Sequence, residues 1–387
     1  MARLAVFHPT IMLDGGGEGV CTQALEALSS NHDITLFTTD EVDIEALNKF
    51  HGTSLNQSEI NIKNPLPRLE PTIDRVSNIV GKIVPNTELG LLKHSLAQRH
   101  LDSISKDFDL LFSTWNEIFH PDRTLQYIHF PGYHPKVYRK FDPRSADWKY
   151  RSYHDLCRRI IGSSEQFGPN THTITNSQWT ADLVSEHYNT DVSVVYPPID
   201  VSAFEPLVWD EKESGFVSIG RVHPLKRQLF MIHVFDRLIE LGHDIHLHII
   251  GGISDKEYGE KVMSAAHSRE YISVEGRLPR NKLVKLVEEH RYGLHAKKFE
   301  HFGMAVAELV AGGAVPFVHN SGGQTEIVGE DPRLVYDDLD SAVQTIDNTL
   351  NNVDTYTIQS ELSSKSEKFS KARFQQEIQT AVSNTLR

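Results

Sequence analysis

The sequence predicts an α/β protein of two domains, each a parallel sheet covered by helices on both faces. Three observations predict it. At 387 residues the chain is too long for one comfortable hydrophobic core. Short apolar runs alternate with segments of helical periodicity. The alternation then restarts near residue 215, behind an irregular stretch from Pro197-Pro198 to Ser214.

In the first half, the apolar run Ala2 to His8 leads into the loop Asp14-Gly15-Gly16-Gly17-Glu18, a helical pattern from Val20 to Leu28 and a second apolar run from Ile34 to Phe37. This is a β-loop-α-β opening. Further strands are expected at Asp109 to Thr114, Gln126 to Phe130, His172 to Asn176 and Val192 to Tyr196. Residues 55–100 carry the weakest pattern; within them Ile79 to Val84 reads as a core-facing helix or as a membrane-surface contact. Beyond the linker come a strand at Gly215 to Gly220, a helix from Gln228 to Leu241, and strands at Ile245 to Ile250 and Tyr271 to Val274. A helix from Asn281 to His290, another after Gly303 and a strand from Ala314 to Val318 follow. Helical spacing of Phe369, Phe374, Ile378 and Val382 predicts a last helix that packs back on the first domain. The expected boundaries are 1–196, 197–364 and 365–387.

A formal charge of −13 argues against nucleic acid as a partner, since a phosphate backbone selects a basic face. Cys21 and Cys157 have no spacing suited to zinc or to a redox pair, which points to a reducing compartment and the cytoplasm. No apolar run reaches the roughly 18 residues needed to span a bilayer, so membrane contact is expected to be peripheral, at the inner face. Lys136, Arg139, Lys140, Arg144, Lys149, Arg151, Arg158 and Arg159 form a local basic excess, read either as a solvated helical face or as a phosphate site.

In open parallel sheets, ligands bind beyond the carboxyl ends of the strands. Gly15-Gly16-Gly17 stands there in the first domain. Missing side chains let its backbone approach a phosphate or sugar, or simply make a tight turn; it is not a full G-x-G-x-x-G, although Asp40 ends the second strand. Gly220-Arg221-Val222-His223-Pro224-Leu225-Lys226 occupies the same place in the second domain. Arg221 and Lys226 there suit the charge of a diphosphate leaving group, where a metal would otherwise serve. The densest constellation is Phe299-Glu300-His301-Phe302-Gly303-Met304-Ala305-Val306-Ala307-Glu308. The helix start at Gly303, Met304 and Ala305 offers free amides to phosphate, Glu308 lies one turn along to accept from ribose hydroxyls, and Glu300 precedes the helix within reach of the sugar.

Two Asp-x-Asp sequences, Asp107-Phe108-Asp109 and Asp338-Leu339-Asp340, match a metal-nucleotide pattern, but the first precedes its strand and the second lies far from any glycine loop. His246 and His248 share a strand face without an evident further ligand, so no zinc site is expected there.

Together the E-x7-E element, the Gly-Arg-x4-Lys element, the early glycine loop and Tyr127-Ile128-His129-Phe130-Pro131 resemble family 4 retaining glycosyltransferases. Leu294-His295, Glu300 to Gly303, Glu308, Gly312 and His319 to Gly323 are most similar to the α-1,2-mannosyltransferases of lipid-linked oligosaccharide assembly. The resemblance implies a GT-B fold, two Rossmann-like domains facing a central cleft, and a metal-independent hexosyltransferase using GDP-mannose or a UDP-sugar and no cofactor. It implies donor contacts from Gly16, Gly17, Arg221, Lys226, Glu300, Gly303, Met304, Ala305 and Glu308. It also implies that His129 contacts the hydroxyls of the transferred sugar and eases charge as an oxocarbenium-like state forms. Family members retain configuration by front-face attack, so no nucleophile is assigned. A glycan or lipid-linked acceptor is expected, with Lys140, Arg144 and Arg151 on the acceptor side. A sugar-nucleotide epimerase of the same fold, a binding-only protein and a dehydrogenase are the competing classes.

Overall fold

The computed structural model describes residues 1–13, 15–67, 75 and 89–387. They form two compact units: Met1–Pro198 with Phe374–Arg387, and Ile199–Arg373. Ile79 to Val84 lies outside the described residues.

The first unit holds a seven-stranded sheet: β1 (Arg3–Phe7), β2 (Asp33–Phe37), β3 (Ile60–Lys63), β4 (Leu110–Ser113), β5 (Thr124–Ile128), β6 (Thr171–Thr175) and β7 (Val192–Val194), in the order β3-β2-β1-β4-β5-β6-β7. Every pairing is parallel. The two-residue period of β1 divides its side chains between two cores. Leu4 and Val6 pack with Val20, Ala24, Leu25 and Leu28 of the helix Gly16–Ser29. Ala5 and Phe7 pack on the other face with Ala97 and Leu101 of the helix Gly90–Ile104. Both faces are thus covered, which is why these strands read as unbroken apolar runs.

The second unit holds β8 (Glu213–Ile219), β9 (Leu247–Ile250), β10 (Ile272–Gly276), β11 (His290–His295), β12 (Val315–His319) and β13 (Val335–Tyr336), in the order β10-β9-β8-β11-β12-β13, again all parallel. Phe216 lies at the middle of its core, edge-on to Phe235 at 5.1 Å and beside Tyr292 at 4.9 Å and Phe317 at 5.9 Å.

Two strands were not expected. β3 falls in the weakly patterned stretch. β11 begins at His290, where a helix was expected to end; the helix Arg280–Glu289 stops one residue earlier and His290 turns extended, with φ −113 and ψ 143. Apart from Arg291 all of β11 is buried. Gly293 at its middle lets Leu309 of the helix Met304–Ala311 approach, since a Cβ there would lie 2.6 Å from a Leu309 methyl.

The last helix, Lys371–Leu386, buries Phe374, Ile378 and Val382 in the larger core of the first unit. It begins six residues after the expected boundary at 365, because the chain before it belongs to the second unit. Ile199 N donates to Phe369 O at 2.8 Å and Lys371 pairs with Asp200 at 2.6 Å, so the two strands of chain that leave this unit do so side by side.

In each sheet the strand order reverses beside its first strand, between β1 and β4 and between β8 and β11. A crevice is expected at the carboxyl ends of such a pair. The loops there are residues 8–15 and 114–123 in the first unit, and 220–227 and 296–303 in the second. No described helix is long and apolar enough to cross a membrane.

Candidate functional site

In the second unit, the loops after β8 and β11 bring together residues that lie far apart in the chain. Glu300 Oε2 accepts from Lys226 Nζ at 2.6 Å and from His295 Nε2 at 3.1 Å, while Oε1 accepts from Lys297 Nζ at 2.6 Å. The carboxylate is 12% exposed. Burial alone would raise its pKa, but the two ammonium groups and the imidazole N–H outweigh burial and hold it well below the usual carboxylate range. His295 is shifted down, chiefly by burial, so it stays neutral and donates through Nε2. Burial also lowers Lys226, with Glu300 opposing; a pair at 2.6 Å keeps it an ammonium near neutral pH.

The backbone is shaped to present Glu300. Phe299 is left-handed with φ 52, and its N–H donates to Ser321 Oγ at 2.9 Å. Gly322, at φ 80, runs against this loop so closely that a Cβ would lie 2.2 Å from Glu300 O. Buried Gln324 donates to the carbonyls of Lys297, His319 and Ser321. The segment His319 to Gln324 is therefore the clamp of the Glu300 loop. After β8 the glycine loop is equally constrained: Gly251, at φ 149, would place a Cβ 2.1 Å from Gly220 O. Arg221 is exposed and has no ion-pair partner among the described residues.

Gly303, at φ 108, caps the helix Met304–Ala311, whose first-turn amides at Met304 and Ala305 have no intrahelical acceptor. Glu308 is already engaged: Arg280 donates to its Oε1. A ribose hydroxyl would share that carboxylate with a guanidinium. Sequence reasoning missed Arg280 and Lys297; the latter stood three residues before Glu300, in a spacing that could have drawn attention.

In the first unit, the loop after β1 meets those after β4 and β5. His129 N and Phe130 N both donate to Asn116 Oδ1 at 3.0 Å, and Asn176 donates to His129 O at 3.1 Å. The ring donates through Nε2 to Thr114 O at 3.1 Å, which leaves Nδ1 as an acceptor. Burial pushes its pKa down to about 4. The imidazole is therefore uncharged near neutral pH. A Cβ on Gly17 would lie 3.6 Å from His129 Nε2, so the glycine loop passes directly over this ring. Gly15 lies against the Glu18 carboxylate, 2.3 Å from where its Cβ would be. That carboxylate disfavours a phosphate at Gly15 to Gly17 and suits a hydroxyl-bearing ligand. His8, unexpected from sequence, is fully buried nearby. Its Nδ1 lies 2.9 Å from Thr114 Oγ1, and its buried Nε2 has no hydrogen-bond partner among the described residues.

The basic stretch folds as Pro135–Phe141, a 3-10 turn Pro143–Ala146 and the helix Trp148–Ile160. Arg139, Lys140, Asp142, Ser145 and Arg151 line a shallow cavity of about 750 Å³. Arg144 is tied to Asp142 at 2.7 Å and stacks over Tyr150, while Arg151 donates to Ser145 O. The Asp-x-Asp sequences have structural roles. Asp109 accepts from Arg3 N at 2.8 Å at the amino edge of the sheet; Asp338 caps the helix Leu339–Asn352 and Asp340 pairs with Arg237. Asp40 Oδ2 accepts from Met12 N at 2.8 Å and steadies the loop after β1.

Residues 202–365 match the family described as glycosyl transferases group 1. Among curated proteins, the chain is 25% identical over 369 residues to the mouse GDP-Man:Man(3)GlcNAc(2)-PP-Dol alpha-1,2-mannosyltransferase, covering 83% of this chain and 73% of that protein. The Caenorhabditis elegans protein of the same name is 30% identical over 168 residues, 39% of this chain and 36% of the relative. Among solved structures, WaaG, a glycosyltransferase involved in lipopolysaccharide biosynthesis, superposes with a TM-score of 0.68 at 14% identity over 97% of this chain and 98% of its own. Sucrose-phosphate synthase of Thermosynechococcus elongatus gives 0.68 at 15% identity over 99% of both chains. The two-unit architecture is that of the GT-B glycosyltransferases.

The Glu300 cluster has a pH signature. A carboxyl whose folded pKa is depressed adds stability that is complete above its unfolded value, near 4.5, and is lost as pH falls through the folded value. Urea midpoints are therefore expected to drop more steeply below about pH 4.5 for the wild type than for Glu300→Gln, and in parallel between pH 5 and 7. Parallel curves at all pH values would mean that Glu300 is not held as a carboxylate by its neighbours.

Proposed function

We infer that this glycosyltransferase is a hexosyltransferase that moves mannose from GDP-mannose onto a lipid-linked or other phosphate-bearing glycan acceptor, with retention of configuration and without a metal ion. The observation that carries the reading is the set of cations at the switch point of the second sheet, Lys226 and Lys297 on Glu300 with exposed Arg221 on the adjoining loop. The similarity to GDP-mannose-dependent transferases over most of the chain supports the choice of donor.

As the glycosidic bond breaks, negative charge grows on the diphosphate. Lys226 and Arg221 stabilise it as fixed cations, the task a divalent ion would otherwise perform. The amides of Met304 and Ala305 and the dipole of their helix add to the same field. Glu300 spends its charge on two ammonium groups, which makes it a poor nucleophile and a good orienting group. That fits front-face attack, in which the departing phosphate takes the acceptor proton. In the first unit, His129 Nδ1 would accept from a sugar hydroxyl. The cavity lined by Lys140 and Arg151 offers an anionic acceptor a cationic rim; Arg144, neutralised by Asp142, contributes little net charge.

Lys226→Ala and Arg221→Ala are each expected to lower turnover about 10²–10³-fold, the usual loss when one transition-state charge contact is removed. Exposed Arg221→Ala should leave the unfolding midpoint little changed, whereas Lys226→Ala should lower it, because buried Glu300 loses a partner. EDTA should leave turnover intact; a loss restored by magnesium would instead establish a metal-dependent mechanism.

On the acceptor side, Lys140→Glu with Arg151→Gln should raise the KM of a phosphate-bearing acceptor steeply at low salt and less at high salt, while leaving donor binding unchanged. An unaltered KM would return this stretch to a solvated helix face.

A further inference from the structure

At the opposite end of the second sheet, three histidines from different strands converge. His246 immediately precedes β9, His248 is its second residue, and His290 opens β11. Each offers one ring nitrogen, and the three nitrogens lie within 4.8 Å of one another. His246 and His248 alone gave no reason to expect a metal; the third ligand stands 44 residues beyond His246 in sequence and reaches it only because β8, β9 and β11 are neighbours in the sheet. We propose that His246, His248 and His290, with Glu213 as the fourth ligand, form a zinc-binding site that joins the amino ends of β8, β9 and β11.

The geometry suits a tetrahedral ion. His246 Nε2 and His290 Nε2 are 3.0 Å apart. Two nitrogens on a tetrahedron with zinc-nitrogen bonds of 2.0–2.1 Å sit about 3.4 Å apart, so a small outward shift admits the ion. Glu213 Oε2 lies 3.6 Å from His246 Nε2 and 4.0 Å from His290 Nε2, and its side chain is 62% exposed and able to swing inward. Gly215 makes the room: a Cβ there would lie 2.3 Å from His246 Nε2 and 2.7 Å from His290 Cδ2.

The outer contacts set the required tautomers. His290 Nδ1 donates to Leu286 O at 2.6 Å, leaving Nε2 as a bare lone pair. His248 Nδ1 faces Glu275 Oε1 at 2.7 Å, a carboxylate that fixes its proton on Nδ1 and leaves Nε2 to bind. Metal-bound histidines characteristically direct their second nitrogen to a carbonyl or carboxylate in this way. Three imidazoles and a carboxylate select zinc over magnesium or calcium, which take oxygen ligands.

The site stands apart from the donor loops. β11 has His290 at one end and His295, bonded to Glu300, at the other; five residue steps at about 3.3 Å place them roughly 17 Å apart. Its role is therefore structural, holding three strand ends together, and the transferase chemistry does not run through it.

The test uses the full chain, stripped with EDTA and then dialysed free of it. Cobalt(II) should bind at one ion per chain with the strong visible absorption of a four-coordinate ion, zinc should displace it, and zinc should raise the melting temperature. Glu275→Gln should weaken zinc binding about 10–100-fold, and His246→Asn should abolish the cobalt spectrum. His246 is partly exposed, so this variant should fold, as a circular dichroism spectrum matching the wild type would establish. Turnover at a temperature well below melting should be the same with and without zinc. Weak six-coordinate cobalt absorption, or zinc affinity unchanged in both variants, would overturn the proposal without touching the assignment of the donor site.

Discussion

A buried carboxylate must be compensated where it stands, and in the second unit that requirement organises the loops at the carboxyl edge of the sheet. Glu300 is held by Lys226 from the loop after β8, by His295 from the end of β11, and by Lys297 from its own loop. Removing any one leaves charge uncompensated in a poorly hydrated place, where breaking such a set costs several kcal/mol. The backbone follows from the same demand. A left-handed Phe299, a glycine at 322 where any side chain would strike Glu300, and a glutamine at 324 that satisfies three carbonyls all serve to hold one side chain in place.

The two ends of β11 do different work. Its carboxyl end delivers His295 to the cation cluster and leads into the Glu300 loop, while its amino end delivers His290 to a histidine cluster whose strands it shares. Between them Gly293 lets the helix Met304–Ala311 lie close, which sets where that helix points its free amides. A strand with histidines at both ends and a glycine at its centre is thus fixed by three separate packing and charge requirements.

Much of this was legible in the sequence. Strands buried on both faces, such as β4 and β12, have no alternation to obscure them and read as apolar runs. Glycines stood where loops turn into helices, and Arg221, Lys226, Glu300 and Glu308 stood beside them. β11 was hidden because His290, Arg291 and His295 are polar. The burial of His290 and His295 rests on polar partners, Leu286 O and Glu300, which a reading of apolar periodicity does not weigh. The third histidine of the amino-edge cluster was hidden for the same reason. Sequence pattern also could not show that burial lowers the pKa of His129, nor that Arg280 already occupies Glu308. Periodicity reports which face is buried; it does not report which polar groups meet across a sheet.

The central claim is that the cation cluster on Glu300 receives a nucleoside diphosphate sugar. Its most direct test is thermal stabilisation of the chain by GDP-mannose, GDP, UDP-glucose and UDP in EDTA, for the wild type and for Glu300→Ala. A ligand that binds only the native state raises the melting temperature with its concentration. The account predicts stabilisation of the wild type by GDP and GDP-mannose above the uridine compounds, without added metal, and its loss in Glu300→Ala. Stabilisation that requires magnesium, or that survives unchanged in Glu300→Ala, would contradict it.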